Sequence, residues 1–137
     1  MTPPRTLLDT SIIFALMQRE PVVMSRVEDY LNAYGKLNFS VFTRYEVLKS
    51  LKTKVSPARL RAFTRLCMAS ILFELTDGIV ERASDIYADL QRQGEPIDDA
   101  TALIAATALV HEMAIATNNE EQFSVIEGLR VENWLWS

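Results

Sequence analysis

Short apolar runs alternate with helical patterns along this chain, and no two runs are joined by a two-residue hairpin turn. We expect strands in the segments "RTLL", "KLNFSVF", "ILFEL", "EMAIAT" and "GLRVENW", the last at a sheet edge, with helices between them. Helical connections join parallel strands, and parallel sheets are covered on both faces. The alternation therefore predicts an α/β fold: a three-layer α/β/α sandwich with a mainly parallel central sheet.

The helical segments carry their own start and stop signals. Asp9, followed by hydroxyl residues, precedes the first helix, and Ser56 with Pro57 opens the helix "SPARLRAFTRLCM". Gly35 ends "PVVMSRVEDYLNAYG", and Glu46 is expected in the first turn of "TRYEVLKSLKTK". The positions expected on the inward faces of the helices are Val23, Val27, Tyr30, Leu31, Val47, Leu48, Leu51, Leu60, Phe63, Cys67, Ile79, Val80, Ala83, Ile86, Tyr87 and Leu90.

Size and composition fit one globular unit. A chain of 137 residues that is 49% hydrophobic is long enough to bury a core, so we expect a single domain over residues 1–137. No segment approaches the roughly 18 consecutive apolar residues of a membrane span, and the first residues do not resemble a secretory signal. Cys67 is the single cysteine, which agrees with a reducing compartment. We expect a cytoplasmic protein with no membrane contact.

Positive charge is concentrated in one stretch. Residues 44–65 carry seven basic residues and one acid, so their formal charge is +6, while the rest of the chain carries −10 and the whole chain −4. This stretch is a candidate surface for RNA phosphates or for an acidic partner, and a solvated helix face explains the same charges without a ligand. The basic side chains in question are Arg44, Lys49, Lys52, Lys54, Arg59, Arg61 and Arg65.

Polar residues follow the ends of the expected strands. Asp9 ends the first strand, and Glu46 lies in the helix after the second. Asp98 opens a later helix, and Asn119 follows the strand "MAIAT". Ligands of parallel sheets bind beyond the carboxyl ends of the strands, and an oxygen-only set of ligands suits Mg²⁺ or Mn²⁺. The pattern predicts metal-assisted cleavage of phosphodiesters.

Each carboxylate also has a local explanation that needs no ligand. Asp9 and Asp98 can cap helices, and Glu46 can interact with a helix dipole. Other chemistries lack their residues: His111 is the only histidine, and no Gly-rich phosphate loop is present. A phosphoacceptor receiver domain is disfavoured because no lysine follows Lys54, and a haloacid-dehalogenase-like phosphatase because the residues directly after Asp9 are not acidic.

Three segments resemble a known family: "LLDTSIIFAL", "FSVFTRYEVLKSL" and "GEPIDDATALIAATALVHEMAIATNNEEQFSVIEGLRVENW". In their order and spacing they are similar to the PIN-domain family, specifically to VapC-type toxins of bacterial toxin-antitoxin pairs. The resemblance covers essentially the whole chain. It implies an α/β/α sandwich, a Mg²⁺- or Mn²⁺-dependent endoribonuclease, a homodimer, and inhibition by a cognate VapB-type antitoxin whose C-terminal segment covers the active site.

Carried over by position, the resemblance implies that Asp9 and Glu46 are acidic ligands and that Asn119 holds the fourth site position. The third family carboxylate falls on Thr101, a neutral hydroxyl that should weaken cation binding. Three outcomes stay open. Asp98 can replace the missing ligand, the site can bind one weakly held metal and cleave slowly, or the domain can be a degenerate PIN fold that binds antitoxin or RNA without cleavage.

Two partner surfaces follow from these expectations. Lys49, Lys52 and Arg59 are the basic residues expected to bind RNA, since they lie on the two helices that follow the second strand. The segments "SRVEDYLNAYG" and "PARLRAFTRLCM" are candidates for a groove that receives an antitoxin helix, although core packing also explains their apolar positions. Trp134 and Trp136 are expected against either the sheet edge or a second subunit.

Overall fold

The structure, a computed structural model, describes residues 2–136. Strands and helices alternate in the expected order. The strands in this range are β1 (Thr6–Leu8), β2 (Asn38–Ser40), β3 (Ile71–Phe73), β4 (Ala114–Ala116) and β5 (Val131–Glu132). The helices are α1 (Thr10–Met17), α2 (Pro21–Tyr34), α3 (Val41–Thr53), α4 (Pro57–Met68), α5 (Asp77–Arg92), α6 (Asp99–Val110) and α7 (Glu120–Ser124).

Every strand pair is parallel. β4 lies between β1 and β5, while β2 pairs with β3. β1 also lies beside β2, where side chains take the place of a backbone ladder. The Asn38 Nδ2 group donates to Thr6 O at 3.1 Å and to the Tyr30 hydroxyl at 2.8 Å, and that hydroxyl accepts from Thr6 N at 3.1 Å. Two buried side chains thus hold the two groups of strands together.

Two apolar cores lie on opposite faces of the strands. Successive residues of a strand point to opposite faces, and β1 follows this rule: Leu7 belongs to the core beneath α5 and α6, and Leu8 to the core beneath α1 to α4. In β4, Ile115 and Ala116 divide in the same way. The expected three-layer α/β/α arrangement is therefore confirmed.

Several details differ from the sequence-based expectations. Leu31, Val80 and Tyr87 are exposed, because the buried faces of α2 and α5 are narrower than the stripes read from the sequence. The helix α3 begins earlier than expected, since the Ser40 hydroxyl accepts from Thr43 N at 3.1 Å and caps it. Glu46 consequently lies beyond the first turn.

The C-terminal region adds a helix and places the two tryptophans differently. The short helix α7 between β4 and β5 was not expected from the sequence. Trp134 is buried against the Tyr30 ring, with the ring centroids 5.8 Å apart, whereas Trp136 is exposed. Of the two tryptophans, only Trp134 contributes to the core.

Candidate functional site

Asp9 lies at the carboxyl end of β1 and is the N-cap of α1. Its side chain is only 7% exposed. Oδ1 accepts from Thr10 N at 2.7 Å, while Oδ2 accepts from Ser11 Oγ at 3.0 Å and from Thr117 Oγ1 at 2.7 Å. A carboxylate offers about four acceptor positions, so three hydrogen bonds leave Asp9 with room for about one more contact.

Burial sets the electrostatics of Asp9. Loss of hydration raises the pKa of this carboxyl above its ordinary value, and the hydrogen bonds from Thr117 and Ser11 act in the opposite direction. The ion pairs formed by residues 2–136, Arg92 with Asp89 and Arg130 with Glu132, do not involve Asp9. A cation beside Asp9 would offset the cost of its buried charge.

Glu46 is linked to Asp9 through Thr10. The Thr10 hydroxyl donates to Glu46 Oε1 at 2.6 Å and lies 3.1 Å from Thr43 Oγ1. Because Thr10 also donates its main-chain N–H to Asp9, one residue connects the two carboxylates. The structure therefore brings Asp9 and Glu46 to one edge of the sheet from positions 37 residues apart in the sequence.

The segment after β4 is tied to the same carboxylate. Thr117 is fully buried, and its hydroxyl both donates to Asp9 and accepts from Asn119 N at 2.8 Å. Ser11 Oγ accepts from Asn118 N at 3.0 Å. Asn119 is exposed and its side chain does not cap α7. The hydroxyl residues of this network were missed by sequence reasoning, although "LLDTS" carries two of them after the aspartate that ends the first strand, and "AIATNN" carries one directly after a strand.

Asp98 and Thr101 make contacts unlike those of Asp9. Asp98 is exposed, and its Oδ1 accepts from Thr101 N at 2.8 Å, which caps α6. Thr101 is only 4% exposed, and its hydroxyl donates to Gln122 Oε1 in α7 at 2.8 Å. The position expected to resemble a third carboxylate is thus occupied by a neutral hydroxyl paired with a neutral amide.

The donors at this edge suit a hard cation with few protein ligands. Residues 2–136 contain no group of three or more Asp, Glu, His or Cys side chains placed to hold one metal ion. The expected combination of Asp9, Glu46 and Asp98 is therefore not assembled, because the Asp98 carboxylate faces the amide groups of its own helix. Asp9 and Glu46, with hydroxyl oxygens between them, fit Mg²⁺ or Mn²⁺, which keep several waters when bound to proteins.

The expected RNA-binding residues lie on exposed surfaces of two helices. Lys49, Lys52 and Arg59 are all exposed. The Lys49 ammonium group lies 5.1 Å from the centre of the Tyr45 ring, and Tyr45 is 56% exposed. Tyr45 directly precedes Glu46 in α3 and Lys49 follows Glu46 by three residues, so an aromatic face and a cation lie on the same helix as Glu46. Aromatic faces of this kind can stack on nucleobases.

An apolar groove lies between the end of α1, α2 and α4. Its volume is about 360 Å³, and two arginines, Arg19 and Arg59, line it beside apolar side chains. The apolar lining residues are Leu16, Met17, Met24, Val27, Leu31, Leu37, Ala62 and Leu66. The position agrees with the two segments expected to form a partner groove. Arg59 therefore lies beside this groove and also on α4, one of the two helices that carry the basic stretch.

Residues 6–129 match the family model of the PIN domain. Together with the fold and the presence of Asp9 and Glu46 at one edge of the sheet, this match establishes that the chain belongs to the PIN-domain family. The chain is also 30% identical over 130 residues to the tRNA(fMet)-specific endonuclease VapC of Shigella flexneri, covering 93% of this chain and 96% of that protein. The resemblance to PIN domains and VapC proteins found in the sequence is confirmed.

Solved structures share the fold of this chain. A VapBC-1 structure from nontypeable Haemophilus influenzae is similar to this chain with a TM-score of 0.81 and 28% identity, covering 94% of this chain and 97% of that one. A DNA-bound VapBC structure from Salmonella typhimurium has a TM-score of 0.85 at 23% identity, with coverages of 96% and 99%. Within residues 2–136, no helix combines the length and apolar character that crossing a membrane requires.

Proposed function

We propose that this protein is a VapC-type toxin: a single PIN domain that cleaves RNA phosphodiesters with the help of Mg²⁺ or Mn²⁺. The observation that carries the proposal is the buried Asp9 carboxylate, joined to Glu46 through Thr10 and to the end of β4 through Thr117. The names of the curated relatives, among them Ribonuclease VapC2 of Haemophilus influenzae at 28% identity, support the reaction class.

In the proposed mechanism Asp9 and Glu46 would hold the cation. When bound, the ion would supply activation of water and stabilisation of charge on the scissile phosphate. The protein's own contribution is preorganisation: Thr117 and Ser11 hold one Asp9 oxygen, and the Thr10 hydroxyl holds one oxygen of Glu46. Carboxylates that are already fixed need little reorganisation when the substrate arrives. Asn119, on the loop bonded to Thr117, is proposed as a polar contact to substrate or water.

The experiment is cleavage of a mixed RNA pool by purified protein with Mg²⁺ or Mn²⁺ and with EDTA. We expect cleavage by the wild type, its loss with EDTA, and a fall of at least about 100-fold in Asp9→Asn and Glu46→Gln. Asp85→Asn, an exposed change on α5, is the matched control and should cleave normally. Equal cleavage by Asp9→Asn and wild type would exclude this site as the source of activity.

RNA is proposed to approach along α3 and α4 through Lys49, Lys52 and Arg59. Each phosphate contact contributes to the salt dependence of binding, so replacing a contacting lysine by alanine should reduce the slope of log Kd against log salt by about one. Arg59 also lines the apolar groove. Its replacement therefore distinguishes a role in RNA binding from a role in the groove alone. An unchanged salt slope in Arg59→Ala would remove that residue from the RNA path.

The apolar groove is proposed as the site of a VapB-type antitoxin segment, and the active form is proposed to be a homodimer. A groove of apolar side chains flanked by Arg19 and Arg59 suits an amphipathic helix with acidic residues beside its apolar face. Ala62→Glu places a charge in this groove and should abolish co-purification with the antitoxin while RNA cleavage persists. Light scattering on the purified toxin tests the dimer.

A degenerate PIN domain that binds antitoxin or RNA without cleavage is the second candidate. The neutral Thr101 and Gln122 pair favours it, since charge that would balance a dication is missing there. The cleavage assay separates the candidates. Cleavage only after Thr101→Asp would make binding the function of this chain.

A further inference from the structure

The position of the expected third carboxylate is built differently from the Asp9 edge. The buried Thr101 hydroxyl donates its proton to Gln122 Oε1 at 2.8 Å. Neither side chain carries charge, and a hydroxyl or an amide compensates little of the hydration that a dication loses on binding. This side of the site is therefore a poor place for a metal ligand.

The same pair is well suited to an anion. The amide of glutamine has one acceptor oxygen and an NH₂ group with two donors. Because Thr101 occupies the oxygen of Gln122, the orientation of the amide is fixed and the Nε2 group remains for a ligand. Phosphodiester oxygens act only as acceptors, so they can accept a hydrogen bond from the Gln122 Nε2 group. A carboxylate in the same place would repel them.

The location also fits a substrate contact. Gln122 lies one turn after Asn119 in α7, and the N–H of Asn119 donates to the Thr117 hydroxyl that holds Asp9. A chain of hydrogen bonds thus connects the start of α7 with the buried carboxylate. The helix α6 leads directly into β4 and contacts α3, which carries Glu46. Its N-terminal part, with Thr101, therefore lies at the same carboxyl edge of the strands as Asp9, where a substrate held at Asp9 and Glu46 would pass.

We infer that Thr101 and Gln122 form a substrate-positioning pair, in which the Thr101 hydroxyl fixes the Gln122 amide so that Nε2 donates to a phosphodiester oxygen of RNA. The cation is then held by the Asp9 and Glu46 side alone, as one ion per chain. This inference rests on the proposed function, because it assigns a substrate contact to the same site.

The test measures two ligands separately: Mn²⁺ alone by titration calorimetry, and a fluorescent, uncleavable 2′-O-methyl oligoribonucleotide pool by anisotropy. We expect one Mn²⁺ per wild-type chain. Gln122→Leu should keep the Mn²⁺ affinity within about twofold and weaken RNA binding roughly tenfold. Gln122→Glu should weaken RNA binding further and strengthen Mn²⁺ binding, because the added charge acts oppositely on the two ligands.

Two further variants guard against misfolding and surface effects. Thr101→Val removes the hydroxyl that orients the amide and should weaken RNA binding about threefold with unchanged Mn²⁺ affinity. Gln91→Leu, an exposed change on α5, should alter neither affinity. Melting curves verify that each variant is folded.

Different results would contradict the inference and the proposed function. A tenfold loss of Mn²⁺ affinity in Gln122→Leu would make Gln122 a metal ligand and overturn the inference. Unchanged RNA affinity in folded Gln122→Leu and Thr101→Val would reduce the pair to a structural link between α6 and α7. A wild type that binds no Mn²⁺ contradicts the proposed metal dependence, and the RNA affinity of Gln122→Leu still decides the inference.

Discussion

Replacing Thr117 by valine removes one hydroxyl from the centre of the site with little change in shape. Thr117 is fully buried, donates to the Asp9 carboxylate at 2.7 Å and accepts from Asn119 N. A hydrogen bond to a charged group contributes about 1.5–3 kcal/mol, and the Asn119 N–H also loses its partner. We expect Thr117→Val to lower the free energy of unfolding by about 2–3 kcal/mol, or roughly 8–12 °C in Tm.

The loss should depend on pH in a defined direction. The bond stabilises the ionised form of Asp9, so its removal raises the pKa of Asp9 further above the value that burial already imposes. The destabilisation is therefore full above the Asp9 pKa of the folded variant, which is the higher of the two pKa values. It shrinks as the pH falls from that pKa towards the folded-state pKa of the wild type, and it is small once Asp9 is protonated in both proteins.

Thr107→Val is the matched control, because Thr107 is also fully buried but donates to the main-chain oxygen of Leu103 in its own helix. That change should cost about 1 kcal/mol and show no dependence on Asp9. Urea unfolding followed by circular dichroism, at a series of pH values from about 7 down to the lowest pH at which both proteins fold, measures both variants. Equal losses in the two variants, or a Thr117→Val loss that shrinks nowhere in that series, would refute the reasoning.

Three further predictions concern single side chains. Asp9→Asn should melt above the wild type at neutral pH without added cation, with a difference that declines as the pH falls, because the buried charge is removed; an unchanged Tm would contradict this. Asp98→Ala should cost about 1 kcal/mol as a lost helix cap without weakening Mn²⁺ binding, whereas a tenfold weaker titration would restore Asp98 as a ligand. Tyr30→Phe leaves the buried Thr6 N–H without its partner and should lower the free energy of unfolding by about 2 kcal/mol, against no change for the exposed Tyr87→Phe in the same urea assay.

The order of elements could be predicted because it depends on local patterns. Buried parallel strands read as short apolar runs. Asp9 marks a helix start through its side chain, Pro57 marks one through its fixed backbone angle, and Gly35 marks a helix end through its left-handed conformation. The width of a buried helix face is not local. Val80 and Tyr87 satisfy the helical period, yet they stay exposed, since no neighbouring element within residues 2–136 covers them.

The link between β1 and β2 could not be read from the sequence for the same reason. A backbone ladder is the usual expectation for neighbouring strands, whereas here Asn38 and Tyr30 supply the bonds from side chains. Asn38 lies at the start of β2, and nothing in its local sequence distinguishes it from a turn residue. Only the packing of α2 against the sheet brings the Tyr30 hydroxyl to it.

The candidate site shows the same division between local and distant contacts. Asp9 and Asp98 both precede helices, and both accept from a main-chain N–H at a helix start. Within residues 2–136, the hydrogen bond from Thr101 N is the one observed for the Asp98 side chain, and helix capping is sufficient to explain the position of this carboxylate. Asp9 also accepts from Thr117, 108 residues away, and is buried at a cost in hydration. An exposed cap needs neither feature, since it functions while remaining in water. The burial and the distant hydroxyl distinguish Asp9 from Asp98, and they are why we propose Asp9, and not Asp98, as a carboxylate that takes part in the chemistry.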